Sequence, residues 1–380
     1  MALALAGGER FVAELQRVWE AGDAVLPVDQ RLPSGAQQSL VERMGASVVV
    51  DSTGRHRRRG GWPTESGDAL VVATSGSTGE PKGAVLTHSA IEANAMATSS
   101  ALAVDPSTDR WLACLPLAHV GGLAVVVRAL LTDTPVDVHD GFDAAAVEAA
   151  ARQGATLTSL VPTALARIDP SGFRAILLGG SAMPAQRPAN TVATYGMTET
   201  FSGVVYEGWP LECVELRIRN DEVQLRCPML LRCYRDNSDP RTNDGWFPTG
   251  DAGALSEEGQ LSVFGRVDDM ITTGAEKVWP VAVERILADL PGIAEAAVVG
   301  RPDPEWGQAV TAVIVPTNHA QPPELEALRD AVKEHLPAYC APQALELVTG
   351  GPPTPRGQGP RGGGGRRPRA GRARGRRGGG

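Results

Sequence analysis

The 380-residue chain carries 36 lysines and arginines against 44 aspartates and glutamates, a net charge of −8, with 42% apolar residues. That length holds two or more domains with separate cores, and no run approaches the ~20 apolar residues of a membrane span. Nine arginines fall in the last 30 residues, leaving 27 basic against 44 acidic residues, or −17, for the rest, so a nucleic-acid role for the body finds no support.

The start, MALALAGGERF, has no basic leader and too short an apolar run for a secretory signal, so a cytoplasmic location is the default expectation. Residues 1 to 60 predict a helix over ERFVAELQRVWEAG and strands over DAVLPVD and SVVVD. The arginine cluster Arg55 to Arg59 reads as a solvated loop. The apolar run ALVVA (Ala69 to Ala73) predicts a buried strand, followed at once by TSGSTGEPKG. Beyond it SAIEANAMATSSAL is a helix and WLACLP a strand. The stretch LPLAHVGGLAVVVRALL turns a corner at Gly121 and Gly122 and continues as an apolar helix. TPVDVH, ATLTSLV and FRAILLGGS predict strands that alternate with the helices DAAAVEAAARQG and PTALARI, which implies parallel sheets covered on both faces. TSGSTG and LLGGS then fall at carboxyl ends of strands, where ligands bind in such folds.

From about residue 210 the pattern becomes antiparallel. VELRIRNDEVQLRC alternates about Asn220 and Asp221, and GALSEEGQLSVFGR about Glu258 and Gly259, as hairpins do. Residues 266–350 then predict a small α+β domain after a large α/β domain over residues 1–265. Residues 351–380 hold only a Gly/Arg/Pro-rich tail, a composition that stays disordered. The five cysteines, with no CxxC pair, read as free thiols, and the histidines lack metal-ligand spacing, so no structural metal is expected.

The segment Thr74 to Gly83 carries the chemistry. Gly76, Gly79 and Gly83 let backbone N–H groups converge on phosphate oxygens; Thr74, Ser75, Ser77 and Thr78 add hydroxyls, and Lys82 a mobile positive charge. It is not the Walker pattern, because Lys82 is followed by glycine. Ten residues in this order resemble the phosphate loop of the adenylate-forming superfamily of acyl-CoA synthetases, luciferases and adenylation domains. Four further stretches in family order extend the resemblance over residues 60–345: LLGGS (with Gly179, Gly180 and Ser181), TYGMTET (Thr194 to Thr200), GWFPTGDAG and TGAEKVWP.

The resemblance implies two half-reactions, an acyl-adenylate formed from ATP and then a thioester with coenzyme A, with Mg²⁺ on the phosphates. It implies that Tyr195, beside Gly196, stacks on adenine, that Thr198 touches the α-phosphate region and that Glu199 binds Mg²⁺. Asp251 would hold the ribose hydroxyls, Arg266 would lie near ribose and phosphates, and Asp268 would be the hinge on which a mobile small domain turns. Within the superfamily WLACLPLAHVGGLAVVVRAL, TSLVPT and AILLGGS look like the o-succinylbenzoate-CoA ligases of menaquinone biosynthesis. That places His119, Gly121 and Gly122 at an acyl pocket and makes Arg128 a candidate for the substrate's second carboxylate. Other readings stay open at this point: another acyl- or aryl-CoA ligase, an adenylating enzyme that loads a carrier protein, or a non-catalytic adenylate-binding protein whose basic tail contacts nucleic acid. Oligomeric state is not encoded in these motifs, and a homodimer is compatible with them.

One departure stands out. The superfamily carries a catalytic lysine near its C-terminus in a segment like RTPSGK, whereas here the corresponding place reads PTPRGQG, with Gln358 in the lysine's position. Two explanations are open: a shifted reading frame from about residue 350, since GGN-CAA-GGN read one base later contains the lysine codon AAG, or an adenylate-binding protein with weakened adenylation.

Overall fold

The computed structural model describes residues 1–75, 80–181, 183–184 and 186–350. Two compact units divide the chain, Met1–Val263 and a second that begins at Phe264.

The first unit is built on a seven-stranded sheet. Five strands run parallel in the spatial order Thr191–Gly196, Ala175–Leu178, Leu157–Leu160, Trp111–Ala113 and Val136–Val138. Gly203–Tyr206 and Trp209–Pro210 continue the sheet antiparallel. All four residues of Ala175–Leu178 are buried, as a strand covered on both faces requires; hence its unbroken apolar run. The helix Ala144–Arg152 starts at Asp143, whose carboxylate accepts the Ala146 N–H at 2.8 Å. The expected helix over PTALARI is only four residues, Pro162–Leu165.

The helix Val120–Leu131 is buried from Gly122 to Ala129. Gly121 and Gly122 lie inside its first turn, not at a corner before it. Their use is close approach: a Cβ on Gly122 would fall 2.2 Å from the Leu115 carbonyl oxygen.

Three smaller sheets surround this core. In one, Leu26–Pro27, Ala2–Leu3 and Val48–Asp51 run parallel and Gly54–Arg57 closes the edge antiparallel. Most of the arginine cluster therefore forms an edge strand instead of a loop. Arg55 pairs with Glu14 and Arg58 with Glu42, and charged side chains suit an edge that must not pair further. In the second sheet, Asp68–Ser75 and Pro81–Thr87 form an antiparallel hairpin, extended by Cys233–Tyr234. The glycine-rich loop thus joins two antiparallel strands and does not leave a strand of the parallel sheet. Short apolar runs such as ALVVA specify burial, not strand direction. The third sheet has the order Glu215–Arg219, Glu222–Arg226, Phe247–Leu255, Leu261–Arg266. Its first turn puts Asn220 and Asp221 at φ 52° and 65°, the left-handed pair of a two-residue hairpin turn.

In the second unit Glu276–Val278, Ile271–Thr273, Gly307–Pro316 and Ile293–Asp303 form a sheet that Ala344–Leu347 joins beside Gly307–Pro316. The helices Pro280–Ala288 and Leu325–Lys333 supply Val283, Leu287, Leu328 and Val332 to its core. No helix among the described residues is long and apolar enough to cross a membrane.

All five cysteines are free, and only Cys213 is exposed. Burial pushes the thiols of Cys114 and Cys227 up to about 11. A thiolate is the reacting species, so a disulfide reagent at pH 8 should titrate Cys213 rapidly in the native protein. The buried thiols should follow only on addition of denaturant, and rapid native labelling of two or more would contradict the packing.

Candidate active site

Because the five central strands run parallel, the turns that leave them gather on one edge. A cavity of about 850 Å³ opens there. Its walls are Leu115–Gly122, which follow Trp111–Ala113; Asp140–Phe142, which follow Val136–Val138; Val161, Thr163 and Ala164, which follow Leu157–Leu160; and Gly180 and Gly196–Thr198. Leu5–Gly7 and Val28–Arg31, leaving the small parallel sheet, complete it. His119, Gly121, Gly122, Gly180, Gly196 and Thr198, drawn from three separate motifs, therefore share one hollow.

Two carboxylates are set by tyrosines. Tyr195 donates its hydroxyl to Asp251 at 2.8 Å, although 56 residues separate them. Glu199 sits in a single 3-10 turn, Thr198–Thr200, after the strand Thr191–Gly196. Its side chain accepts the Tyr234 hydroxyl at 2.9 Å, and its carbonyl accepts the Leu231 N–H at 2.7 Å. Tyr234 in turn carries the Lys82 ammonium 4.9 Å from its ring centroid, a cation–π contact. Lys82, Tyr234 and Glu199 thus form one chain of contacts. Strand pairing explains it, since Cys233–Tyr234 lies beside Pro81–Thr87.

The turn that carries Glu199 is rigidly specified. Asn94 donates to the carbonyls of Thr200 and Gly203 at 3.3 and 3.1 Å, and Thr200 Oγ1 donates to the Ser202 carbonyl at 2.8 Å. A Cβ on Gly196 would lie 2.1 Å from the Ser202 oxygen and 2.5 Å from Gly203 Cα, both backbone atoms. Gly196→Ala should therefore lower the melting temperature by several degrees and displace the turn, at about 1–3 kcal/mol. A melt within a degree of wild type would show that the turn yields.

On the cavity's other wall, Asp29 holds Arg31 through both oxygens, at 2.9 and 2.7 Å, and faces His119 Nε2 at 3.3 Å. The Arg31 hydrogen bonds pull the Asp29 carboxyl down to about 2. His119 is the residue before the helix Val120–Leu131, with its side chain largely exposed toward this wall.

Arg128 is elsewhere. Its side chain is 1% exposed, lies 5.0 Å from the Trp111 ring, and donates to Ser202 Oγ at 3.4 Å. It does not line the cavity, which corrects its expected place beside a substrate carboxylate. A helix apolar on every side gives no sign, in sequence, of the direction in which its one arginine points.

Gly76, Ser77, Thr78 and Gly79 lie outside the described residues, as does Gln358. Thr74 and Ser75 end the first hairpin strand, paired with Lys82 and Pro81. Gly179 leaves Ala175–Leu178, where a Cβ would meet Thr194 Oγ1 at 2.5 Å; Gly180 has φ 79° and the exposed Ser181 follows. Arg266 and Asp268 belong to the second unit, Asp268 in a 3-10 turn. Sequence reasoning missed Tyr234, Asp29, Arg31, Phe142 and Arg167, which carry no motif and reach the site only through the fold.

Comparison with known proteins agrees with this geometry. The AMP-binding enzyme family matches residues 60–229, and the AMP-binding enzyme C-terminal domain matches residues 282–358. A probable 2-succinylbenzoate–CoA ligase of Mycobacterium tuberculosis H37Rv is 38% identical over 352 residues, covering 85% of this chain and 90% of that protein. The chain belongs to the AMP-binding enzyme family. The 2-succinylbenzoate–CoA ligase of Bacillus licheniformis is 31% identical to this AMP-binding enzyme over 319 residues, 74% of this chain and 66% of the relative. Among solved structures, the Bacillus subtilis o-succinylbenzoate CoA synthetase with its acyl-adenylate intermediate superimposes with a TM-score of 0.82 at 25% identity, covering 94% of this chain and 86% of that one. The same synthetase with ATP and a magnesium ion gives 0.79. The adenylate-forming fold expected from the motifs is the fold of this AMP-binding enzyme.

Proposed function

We propose that this enzyme joins a carboxylate of o-succinylbenzoate to AMP, releasing pyrophosphate, and then transfers the acyl group to the thiol of coenzyme A. The observation that carries the reading is the match to the mycobacterial ligase across nine-tenths of that protein. The cavity supports it, with Leu5, Phe11, Leu117 and Phe142 in its lining for an aryl group and basic side chains among the same residues for carboxylates.

In the first half-reaction the substrate carboxylate attacks the α-phosphorus, and the P–O bond to pyrophosphate breaks. Two anions must meet, so alignment and charge neutralisation supply most of the rate. Lys82 brings positive charge to the ring of Tyr234, whose hydroxyl holds Glu199, and Thr198 is part of the cavity lining. Asp251, which accepts the Tyr195 hydroxyl, is in this reading the acceptor of the ribose hydroxyls.

Glu199 fits a magnesium ion shared with nucleotide phosphates: one of its oxygens accepts from Tyr234, and the other accepts no hydrogen bond among the described residues. One carboxylate is adequate, because Mg²⁺ completes its shell with phosphate oxygens and water. When bound, the ion would neutralise charge on the phosphates. Coenzyme A enters in the second half-reaction, and Asp268 is the residue about which we place the turn of the second unit. Cytoplasmic supplies of ATP and coenzyme A, and five cysteines free of disulfides, suit an enzyme of the cytoplasm.

ATP/pyrophosphate exchange across o-succinylbenzoate, benzoate and medium-chain acids tests the reading. Exchange should be strongest with o-succinylbenzoate. Equal or stronger exchange with a simple fatty or aromatic acid would replace it by another acyl-CoA ligase.

A further inference from the structure

The arginine cluster Arg55 to Arg59 takes no part in the chemistry above. Gly54–Arg57 is the outer strand of its sheet, and the edge runs on past it, since the Arg58 N–H donates to the Ser47 carbonyl at 2.7 Å and the Trp62 N–H to the Gly45 carbonyl at 2.9 Å. One edge thus carries Arg55, His56, Arg57, Arg58, Arg59 and Trp62. Part of its charge is already met: Arg55 pairs with Glu14, Arg58 with Glu42, and His56 faces Asp51 at 3.2 Å. Arg57 and Arg59 are exposed and have no carboxylate partner among the described residues.

Trp62 is fixed at this surface. Arg235 donates to the carbonyls of Met44, Trp62 and Pro63, and its guanidinium carbon lies 5.6 Å from the centroid of the indole. On Gly45 a Cβ would come within 2.7 Å of the same ring, so the absence of a side chain there lets the indole settle. The residue nevertheless stays 52% exposed. An indole held in place but half in water, on an edge with two unpaired cations, matches the boundary of an anionic bilayer. Headgroup phosphates attract arginine, and tryptophan prefers the level between headgroup and acyl chain.

We propose that the edge bearing Arg57, Arg59 and Trp62 docks this protein on bilayers of anionic phospholipid, whichever acid the cavity activates. Charge complementarity favours that occupant. Following a nucleic-acid strand requires a series of phosphates to be neutralised, whereas this edge offers two unpaired arginines on a body with 27 basic against 44 acidic residues outside the last 30, or −17. A bilayer can be met by one small patch while the acidic remainder faces water. Each basic residue at such a surface is worth about fivefold in affinity, so the contact is reversible and weakens with salt.

The test titrates the full-length protein with vesicles of phosphatidylglycerol and phosphatidylcholine in equal parts, and with pure phosphatidylcholine. The arginine-rich tail is itself attractive to anionic lipid, so the readout is Trp62: the emission of wild type less that of Trp62→Phe. On anionic vesicles this difference should shift to the blue and be quenched by brominated acyl chains, with no change on phosphatidylcholine. Arg57→Gln combined with Arg59→Gln should raise the lipid concentration at half-response about 10- to 30-fold. The melting temperature should match wild type, because neither side chain has an ion-pair partner to lose. Should the double variant melt early, the quenching of Trp62 in wild type still decides. Trp62 emission indifferent to anionic vesicles, or an equal response in the folded double variant, overturns the assignment. A single-stranded oligonucleotide or polyglutamate that shifts Trp62 emission while anionic vesicles do not would put a different partner on this edge.

Discussion

Gln358→Lys should raise the rate of acyl-adenylate formation about 10²- to 10³-fold, the range associated with one well-placed donor at a site of developing negative charge. Adenylation brings a carboxylate against a triphosphate, and an ammonium at the α-phosphate stabilises the charge that a neutral amide cannot. The resemblance puts that lysine at position 358, and the C-terminal family match runs to the same residue. Conversion of supplied acyl-adenylate to thioester has no need of this charge and should change less than about twofold. Single-turnover measurement of each half-reaction separates the two. An unchanged adenylation rate in Gln358→Lys would mean that the tail as encoded does not deliver a side chain to the site. Resequencing the locus is the companion experiment, since an unbroken frame through the GQG codons removes the shifted-frame explanation.

Glu199→Gln should reduce adenylation about 10²- to 10³-fold and raise the magnesium concentration needed for half-maximal rate. The substitution keeps the shape of the side chain and its bond from Tyr234, so only the charge is removed. Tyr234→Phe is the control for position. It deletes one hydrogen bond of 2.9 Å, worth about 1 kcal/mol, or about fivefold. The contact of Lys82 with the same ring should survive, because phenylalanine keeps the ring. Thermal melts of Glu199→Gln should stay close to wild type. A Glu199→Gln enzyme with full adenylation activity and unaltered magnesium dependence would remove Glu199 from the reaction.

Much of the fold is legible in the linear order of residues. The continuous apolar strands such as AILL, the helices between them and the Asn220-Asp221 hairpin follow from periodicity and turn chemistry. Three of the readings that fail show why. ALVVA is a short run whose burial is encoded but whose direction is not, so a hairpin strand reads like a strand of the parallel sheet. Gly121 and Gly122 suggest a turn because glycine serves turns and close approaches alike, and only the Leu115 carbonyl decides between them. Arg128 belongs to a helix with no polar face, and its side chain points into the core.

The candidate site divides in the same way. The resemblance, carried by contiguous motifs, names Lys82, Tyr195, Thr198, Glu199 and Asp251. What the motifs omit is the company those residues keep. Tyr234 reaches Glu199 across 35 positions and Tyr195 reaches Asp251 across 56, contacts created by strand pairing and packing that no local pattern records.

The order of residues alone thus determined the family and with it the reaction class, since the motifs that carry the resemblance, TSGSTGEPKG, TYGMTET and GWFPTGDAG, are each contiguous in the chain. Only the folded chain decided which side chains line the cavity. The parallel strands bring Phe142, Arg167, His119 and Arg31 to one edge from distant positions while turning Arg128 away, and the direction of a side chain is fixed by what packs around it.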